Sequence, residues 1–186
     1  MNIHVTFDVA AVKNMQRGMK QTIIPTVLMR SLNKTLKATH STAVKAIANN
    51  MGVKQQCIKQ RLVVNKAQRQ KLTAILSAPD KRRLTVLEID PHARQNARGV
   101  AYRMGGQKKQ IDHAFIATMK SGHRGMYTRK PGAGRLPIRE LQGTSVAHVF
   151  MQPDIQTQMK NRIDDRWQPL IDHELHYELQ RRGYAK

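Results

Sequence analysis

Residues 21–50 place the first constraint on the fold. Ile24, Val27, Leu28, Leu32, Leu36, Ala43, Val44 and Ile47 return at three- and four-residue steps, with Arg30, Lys34, Lys37 and Lys45 mostly on the other side. That period is helical, and it leaves one face that has to be buried. Pro25 suits the first turn of such a helix, and Asn49-Asn50 with Gly52 stop it. A matching stripe stands near the other end of the chain: Ile155, Met159, Ile163, Trp167, Leu170, Ile171, Leu175 and Leu179. Pro153 fits its first position, Asp154 complements its N-terminus, and Arg181 and Arg182 its C-terminus, with Gly183 as the stop. Pro169 should kink or split it, because it lacks the N–H that the helix needs.

Between the two helices the texture changes. NIHVTF at 2–7 alternates apolar and polar residues and predicts a short strand, and Asp8 could cap a short helix over 9–18. A second short helix is expected at 53–61, burying Val53, Cys57 and Ile58. LVV at 62–64, LTAIL at 72–76 and RLTVLEI at 83–89 are short and β-branched, which predicts strands with a turn at 78–82. Residues 113–120 and 123–130 flank Ser121-Gly122 as a hairpin with a two-residue turn. Residues 91–112 are polar, basic and glycine-bearing. Apart from weak strand potential at 99–104 they predict a long loop or arm, ordered on assembly. The expected fold is α+β: an antiparallel sheet with a hairpin, packed against a long N-terminal helix and a C-terminal helix. The length of 186 residues suits a single domain over 1–186.

The charge narrows the function. The net charge is +21, far beyond what solubility requires, and it implies an anionic partner or a strongly charged assembly surface. It is also unevenly placed. Residues 1–139 hold 27 Lys/Arg against 5 Asp/Glu, and residues 140–186 hold 6 against 7. No acid occurs between Asp8 and Asp80, and only Asp112 between Asp90 and Glu140. The near-neutral C-terminal segment is therefore the candidate for contacts with protein, including the basic part of a neighbouring copy.

The candidate DNA or partner contacts form two groups. Arg94, Arg98, Arg103, Lys108 and Lys109 lie in the expected loop. Lys120, Arg124, Arg129, Lys130, Arg135 and Arg139 lie on and after the hairpin. Any one of them could be a merely solvated charge. As a set, like charges at this density repel without a counter-anion, and Lys and Arg suit sequence-independent phosphate contact. Only Tyr102, Phe115 and Tyr127 interleave them, which argues against a stacking platform for single strands. No zinc finger or helix-turn-helix pattern appears.

Catalytic and metal chemistry find little support. In Asp172-His173-Glu174-Leu175-His176 the histidines are three apart, whereas the zinc-protease pattern needs them four apart. The plainer reading is a polar helix face with local pairs such as Glu178 with Arg182. Cys57 is the only cysteine, so neither an internal disulfide nor a cysteine-based zinc site can form. It reads as a buried structural thiol and suits a reducing cytoplasm. No P-loop, dinucleotide fingerprint or nucleophile elbow is present, and neither a signal peptide nor a transmembrane span is expected. The reading calls for no enzyme activity and no cofactor.

One stretch carries a more specific signal. Residues 113–130, HAFIATMKSGHRGMYTRK, are followed by RLPIRELQGTSVAHVF and then by Leu170, His173-Glu174-Leu175 and Tyr177. This order resembles the phage minor tail protein Z family, with its AFIA–M–SGH–G hairpin, its LPI–EL–G–SV–F segment and its terminal L–HEL–Y helix. Thr144 and Ala147 stand where that family commonly has prolines, and Tyr127 near a usual phenylalanine. The resemblance implies a structural virion protein that completes the tail at its head-proximal end, where tail joins head. It further implies a homo-oligomeric ring, made in the host cytoplasm and contacting a tail terminator, tail tube or connector, with phage double-stranded DNA close by and no membrane. Gly134, Pro137, Gly143, Phe150 and Trp167 are then read as structural connector residues that set the angle between sheet and last helix, with Trp167 on that helix's apolar stripe. The alternatives are a free-standing, sequence-independent nucleic-acid-binding protein, and an enzyme such as a nuclease. The latter would need clustered acids that residues 1–139 lack.

Overall fold

The computed structural model describes residues 2–5, 23–80, 83–130, 132 and 134–181. The helix expected at 9–18, Arg182 and Gly183 lie outside them. The chain divides into two compact units. The first takes Met1–Ala43, Leu62–Ala78 and Pro153–Lys186, and the second Val44–Arg61 and Pro79–Gln152. The class is α+β, with two long helices and antiparallel sheets with hairpins.

In the first unit, helix α1 (Ile23–Met51, its last part belonging to the second unit) meets helix α5 (Pro153–Arg181). Arg30 of α1 bonds Glu178 of α5, while Lys34, one turn later, bonds Glu174, one turn earlier. The helices therefore run antiparallel. Val27, Leu28, Leu32, Leu36, Ile155 and Met159 are buried, as the two stripes require. Helix α5 is one continuous element with Pro169 inside it, so of the two expected effects, a kink or a split, the split does not occur. Its proline is exposed, where water can reach the carbonyl that loses its donor. Strands β1 (Asn2–Val5), β2 (Val63–Asn65) and β3 (Ala74–Ser77) form an antiparallel sheet in the order β1-β3-β2. Asn33 of α1 holds the β2–β3 connection through both backbone groups of one residue, Ala67. Its Oδ1 accepts from the Ala67 N–H at 2.8 Å and its Nδ2 donates to the Ala67 carbonyl at 3.1 Å.

In the second unit, α1 ends at Gly52, whose φ of +66° is the left-handed conformation that favours glycine. A Cβ there would also collide with the Gly105 backbone. Helix α2 (Gln55–Lys59) follows, with Ile58 buried and Cys57 half-buried, its thiol 3.6 Å from the Glu88 carbonyl.

Three expectations need correction here. Residues 83–89 are not a strand. Val86–Ile89 form a short helix, α3, closed by a capping box in which Thr85 and Glu88 bond each other's backbone N–H. The Thr-x-x-Glu cap outweighs the β-branched texture.

Residues 91–112 are not a loop. They contain β4 (Arg94–Gln95), β5 (Gly99–Met104) and β6 (Gln107–Asp112), an antiparallel sheet in that order. Gly105 and Gly106 sit at φ +59° and +80° between Met104 and Gln107, which pair directly. Two consecutive left-handed residues make the two-residue turn that best fits strand twist.

The other hairpin turns over Lys120–Gly122, not over two residues. The Met119 N–H donates to the His123 carbonyl at 2.8 Å, and the Gly122 N–H to the Met119 carbonyl at 2.9 Å. It joins β7 (Phe115–Thr118) to β8 (Arg124–Arg129), and β9 (Ile138–Glu140) completes a third sheet, β7-β8-β9. Val86, Ala93, Val100, Ala114 and Met126 form a buried cluster, drawing on both of this unit's sheets and on α3. Helix α4 (Val146–Phe150) closes the unit's chain, capped by Ser145.

Candidate functional site

All eleven candidate basic residues lie in the second unit, and all are exposed. Strand register sorts them. In the first sheet of that unit Arg94 pairs with Ala101, and Arg103 pairs with Lys108. Directly paired residues share a face, and so do residues two apart on a strand. Arg94, Arg103 and Lys108 therefore stand together on one face, while Val100, Tyr102 and Ile111 turn the other face to the core. Two cations directly opposite each other are unfavourable unless an anion lies near. Lys109 pairs with Tyr102 on the core-side parity and is exposed near the hairpin end. Arg98 precedes β5. Its N–H donates to Asn96 Oδ1 at 3.0 Å, and its carbonyl accepts from the His113 N–H at 2.8 Å.

In the second sheet, Arg124 pairs with Thr118, Arg129 with Ile138 and Arg139 with Thr128. The Arg129 guanidinium lies 4.7 Å from the centre of the Phe115 ring. A ring face covers a guanidinium while its in-plane N–H donors stay available. A groove of about 620 Å³ at the end of β8 is lined by Asp112, His113, Thr128, Arg129, Lys130 and Arg139. It brings together three of the eleven residues. Lys120 lies in the hairpin turn and Arg135 in the connector, apart from this groove.

The acids of this unit are already engaged. Asp80 accepts from Ser145 Oγ at 2.7 Å and pairs with Arg83 at 3.5 Å. Those two contacts, the hydroxyl first, hold its carboxyl below the usual carboxylate range. Glu88 pairs with Arg61 at 2.5 Å, and Glu140 with His123 at 2.7 Å. Asp90 accepts from the backbone N–H of Arg103 at 2.6 Å and of His92 at 3.0 Å. Asp112 accepts from Gln110 at 3.0 Å. Among the described residues, no ion pair joins any of the eleven cations. The eleven cations are therefore not held in ion pairs within the unit, although Asp112 shares the groove with three of them.

Tyr127 explains the glycine of the hairpin. A Cβ on Gly125 would lie 2.7 Å from the Tyr127 ring and from Glu140 Oε1. The ring covers Gly125 on the same face and is itself buried. Burial, and then the Glu140 charge, push its phenol above the usual value.

The connector residues separate. Gly134 and Pro137 are exposed, and Leu136 between them is 72% exposed. Ile138–Glu140 is a strand, so that part of the connector belongs to the sheet itself. Gly143 donates its N–H to the Leu84 carbonyl at 2.7 Å, in close contact with Ile89, and Phe150 is fully buried. Trp167 lies in the first unit and is half-buried.

Residues 172–178 hold what the sequence reading missed. Glu174 and Glu178 are buried, and both turn to α1. Glu178 pairs with Arg30 at 2.5 Å; Glu174 pairs with Lys34 and lies 3.8 Å from Arg30. A usable signal was present: Arg30 and Lys34 are four apart, as are Glu174 and Glu178. Among the described residues, no three His, Cys, Asp or Glu side chains gather as metal ligands would, and no helix is long and apolar enough to cross a membrane.

These features describe an α+β protein with a cation-rich unit. The family model of prophage minor tail protein Z matches residues 9–182. The chain belongs to the prophage minor tail protein Z family, and so to the structural proteins of phage tails. No curated protein and no solved structure is similar enough to count as a match.

Proposed function

We propose that this chain completes the phage tail at its head-proximal end, as one subunit of a homo-oligomeric ring that takes part in joining tail to head. The observation that carries this reading is the combination of family membership with eleven exposed cations whose unit has already engaged its own acids. A ring multiplies that charge and holds a duplex by its phosphates without reading sequence. Within the basic surface, Lys130 and Arg139 beside the groove at the end of β8 are the residues assigned to channel DNA. Neighbouring tail and neck proteins are the remaining partners, and the reaction chemistry of an enzyme has no place in this role.

The test is complementation of a phage lacking the protein with the K130E/R139E variant. Both residues are exposed, so the variant should fold. Tails should form, while filled heads joined to tails, or DNA held in them, should fall by about tenfold or more, as expected for lost phosphate contacts. Wild-type yield of infectious particles would overturn the assignment. Binding of short duplex by an isolated monomer, with no incorporation into particles, would favour the free-standing nucleic-acid-binding reading.

A further inference from the structure

Helix α5 carries two kinds of acid. Glu174 and Glu178 are buried against α1 and paired. Asp154, Asp164, Asp165 and Asp172 are exposed, and among the described residues none of the four forms an ion pair. At about 100° per residue Asp154, Asp165 and Asp172 fall within about 20° of one line along the helix, with Asp164 about 80° to one side. Asn161 and Gln168 lie close to the same line, and Gln168 donates to Asp172 Oδ1 at 3.1 Å. Lys160, Arg162, Arg166 and Arg181 are all about 80° or more away from it. Ile155, Met159, Glu174 and Glu178 occupy the buried side. The outward stripe of α5 is thus acidic along most of its length, in a chain whose net charge is +21.

The open face of the β4-β5-β6 sheet has the opposite character. Arg94, Arg103 and Lys108 share it with Ala101 and Gln110, and Arg103 directly opposes Lys108. Strand spacing and rise put Arg94 roughly 12 Å from Lys108 across the sheet. Helical rise puts Asp165 about 10.5 Å from Asp172. The two spacings agree within the reach of the side chains.

We infer that the outward stripe of α5, through Asp165 and Asp172, docks on the open face of the β4-β5-β6 sheet of a second copy, through Arg94, Arg103 and Lys108. The inference rests on the ring proposed above and names the surfaces that build it. Two different patches meet, so the contact is heterologous and propagates from copy to copy until rotation closes a ring. It adds acids on the open face beside the Arg103–Lys108 pair, where Asp90 already bonds the Arg103 N–H. The cations around the β8 groove remain available for nucleic acid.

The experiment is light scattering of the purified chain over a concentration series at low salt. It compares wild type with D165K/D172K, R103E/K108E and an equimolar mixture of the two variants. Wild type should associate. Each variant alone should need about tenfold or more protein to do so, since like charges then face each other. The mixture should recover association, because each variant supplies the surface that matches the other's reversed one. Recovery also shows that both variants are folded. Wild-type masses for both variants alone would overturn this interface while leaving the ring intact. The same holds if R103E/K108E loses only duplex binding, which would give the sheet face to nucleic acid. A mixture that fails to associate would overturn it too. A wild type that stays monomeric at every concentration would remove the ring and this interface together.

Discussion

Glu178 has no exposed side-chain surface, and its carboxylate meets Arg30 at 2.5 Å. Arg181 also lies 3.8 Å from Glu178 Oε2, so loss of Arg30 weakens the compensation of a buried charge without removing it. Arg30→Ala should therefore lower unfolding free energy by about 2 kcal/mol, below the full cost of an unpaired buried charge, read by urea denaturation. Lys34→Ala should cost less, since Lys34 is about half exposed and water can replace it. Equal losses would show that burial of Glu178 does not set the scale. Tyr127 makes a second prediction. Its phenol is raised above the usual value of about 10, so the fold favours the protonated form. The stability that this contributes is complete below the unfolded value and disappears as pH rises through the folded one. Tyr127→Phe should flatten the alkaline loss of stability in a pH series of melts; an unchanged slope would assign that loss to other groups. At this scale the sequence was only partly legible. The apolar stripe of α5 was visible, but burial of Glu174 and Glu178 depends on Arg30 and Lys34, more than a hundred positions away. Reading the two helices separately could not pair them, although the matched four-residue spacings held the clue.

At the level of elements, the long helices were readable because each repeats one period over many turns, and tertiary packing then agrees with it. The short elements depended on local turn chemistry. In α3, Thr85 and Glu88 override the strand texture of RLTVLEI by satisfying the first N–H groups of a helix. Thr85→Ala should cost about 1 kcal/mol in thermal or urea unfolding, the usual value of a lost N-cap. A neutral result would mean that packing of Val86 and Ile89 alone sets this turn. In β5 and β6, the Gly105-Gly106 pair marks a tight hairpin, yet five polar residues of the six in β6 conceal the strand. Only the β5 side faces the core strongly, so polarity suggested a loop where backbone pairing makes a sheet. Trp167 stands on the apolar stripe of α5 and is half-buried. Trp167→Ala should cost about 2 kcal/mol, less than the 3–5 of a fully buried aromatic, whereas Phe150→Ala should reach that larger range.

Across the whole molecule, the uneven charge seen in the sequence becomes a division of labour. The first unit pairs its helices through buried glutamates, and the second exposes eleven cations that form no ion pair among the described residues. The candidate residues were legible as a set from composition. Their sorting was not, because it follows from strand register: Arg103 with Lys108 on one face, and Lys130 with Arg139 beside one groove. The family was legible from the order of short motifs in residues 113–180, which the family match over residues 9–182 extends to nearly the entire chain. The most direct measurement is an electron cryomicroscopy map of the head-proximal end of the tail. It should show a closed ring of this chain with Lys130 and Arg139 toward the channel that holds DNA. A map in which the chain is absent from that end, or in which those residues face away from the channel, would contradict the proposed role.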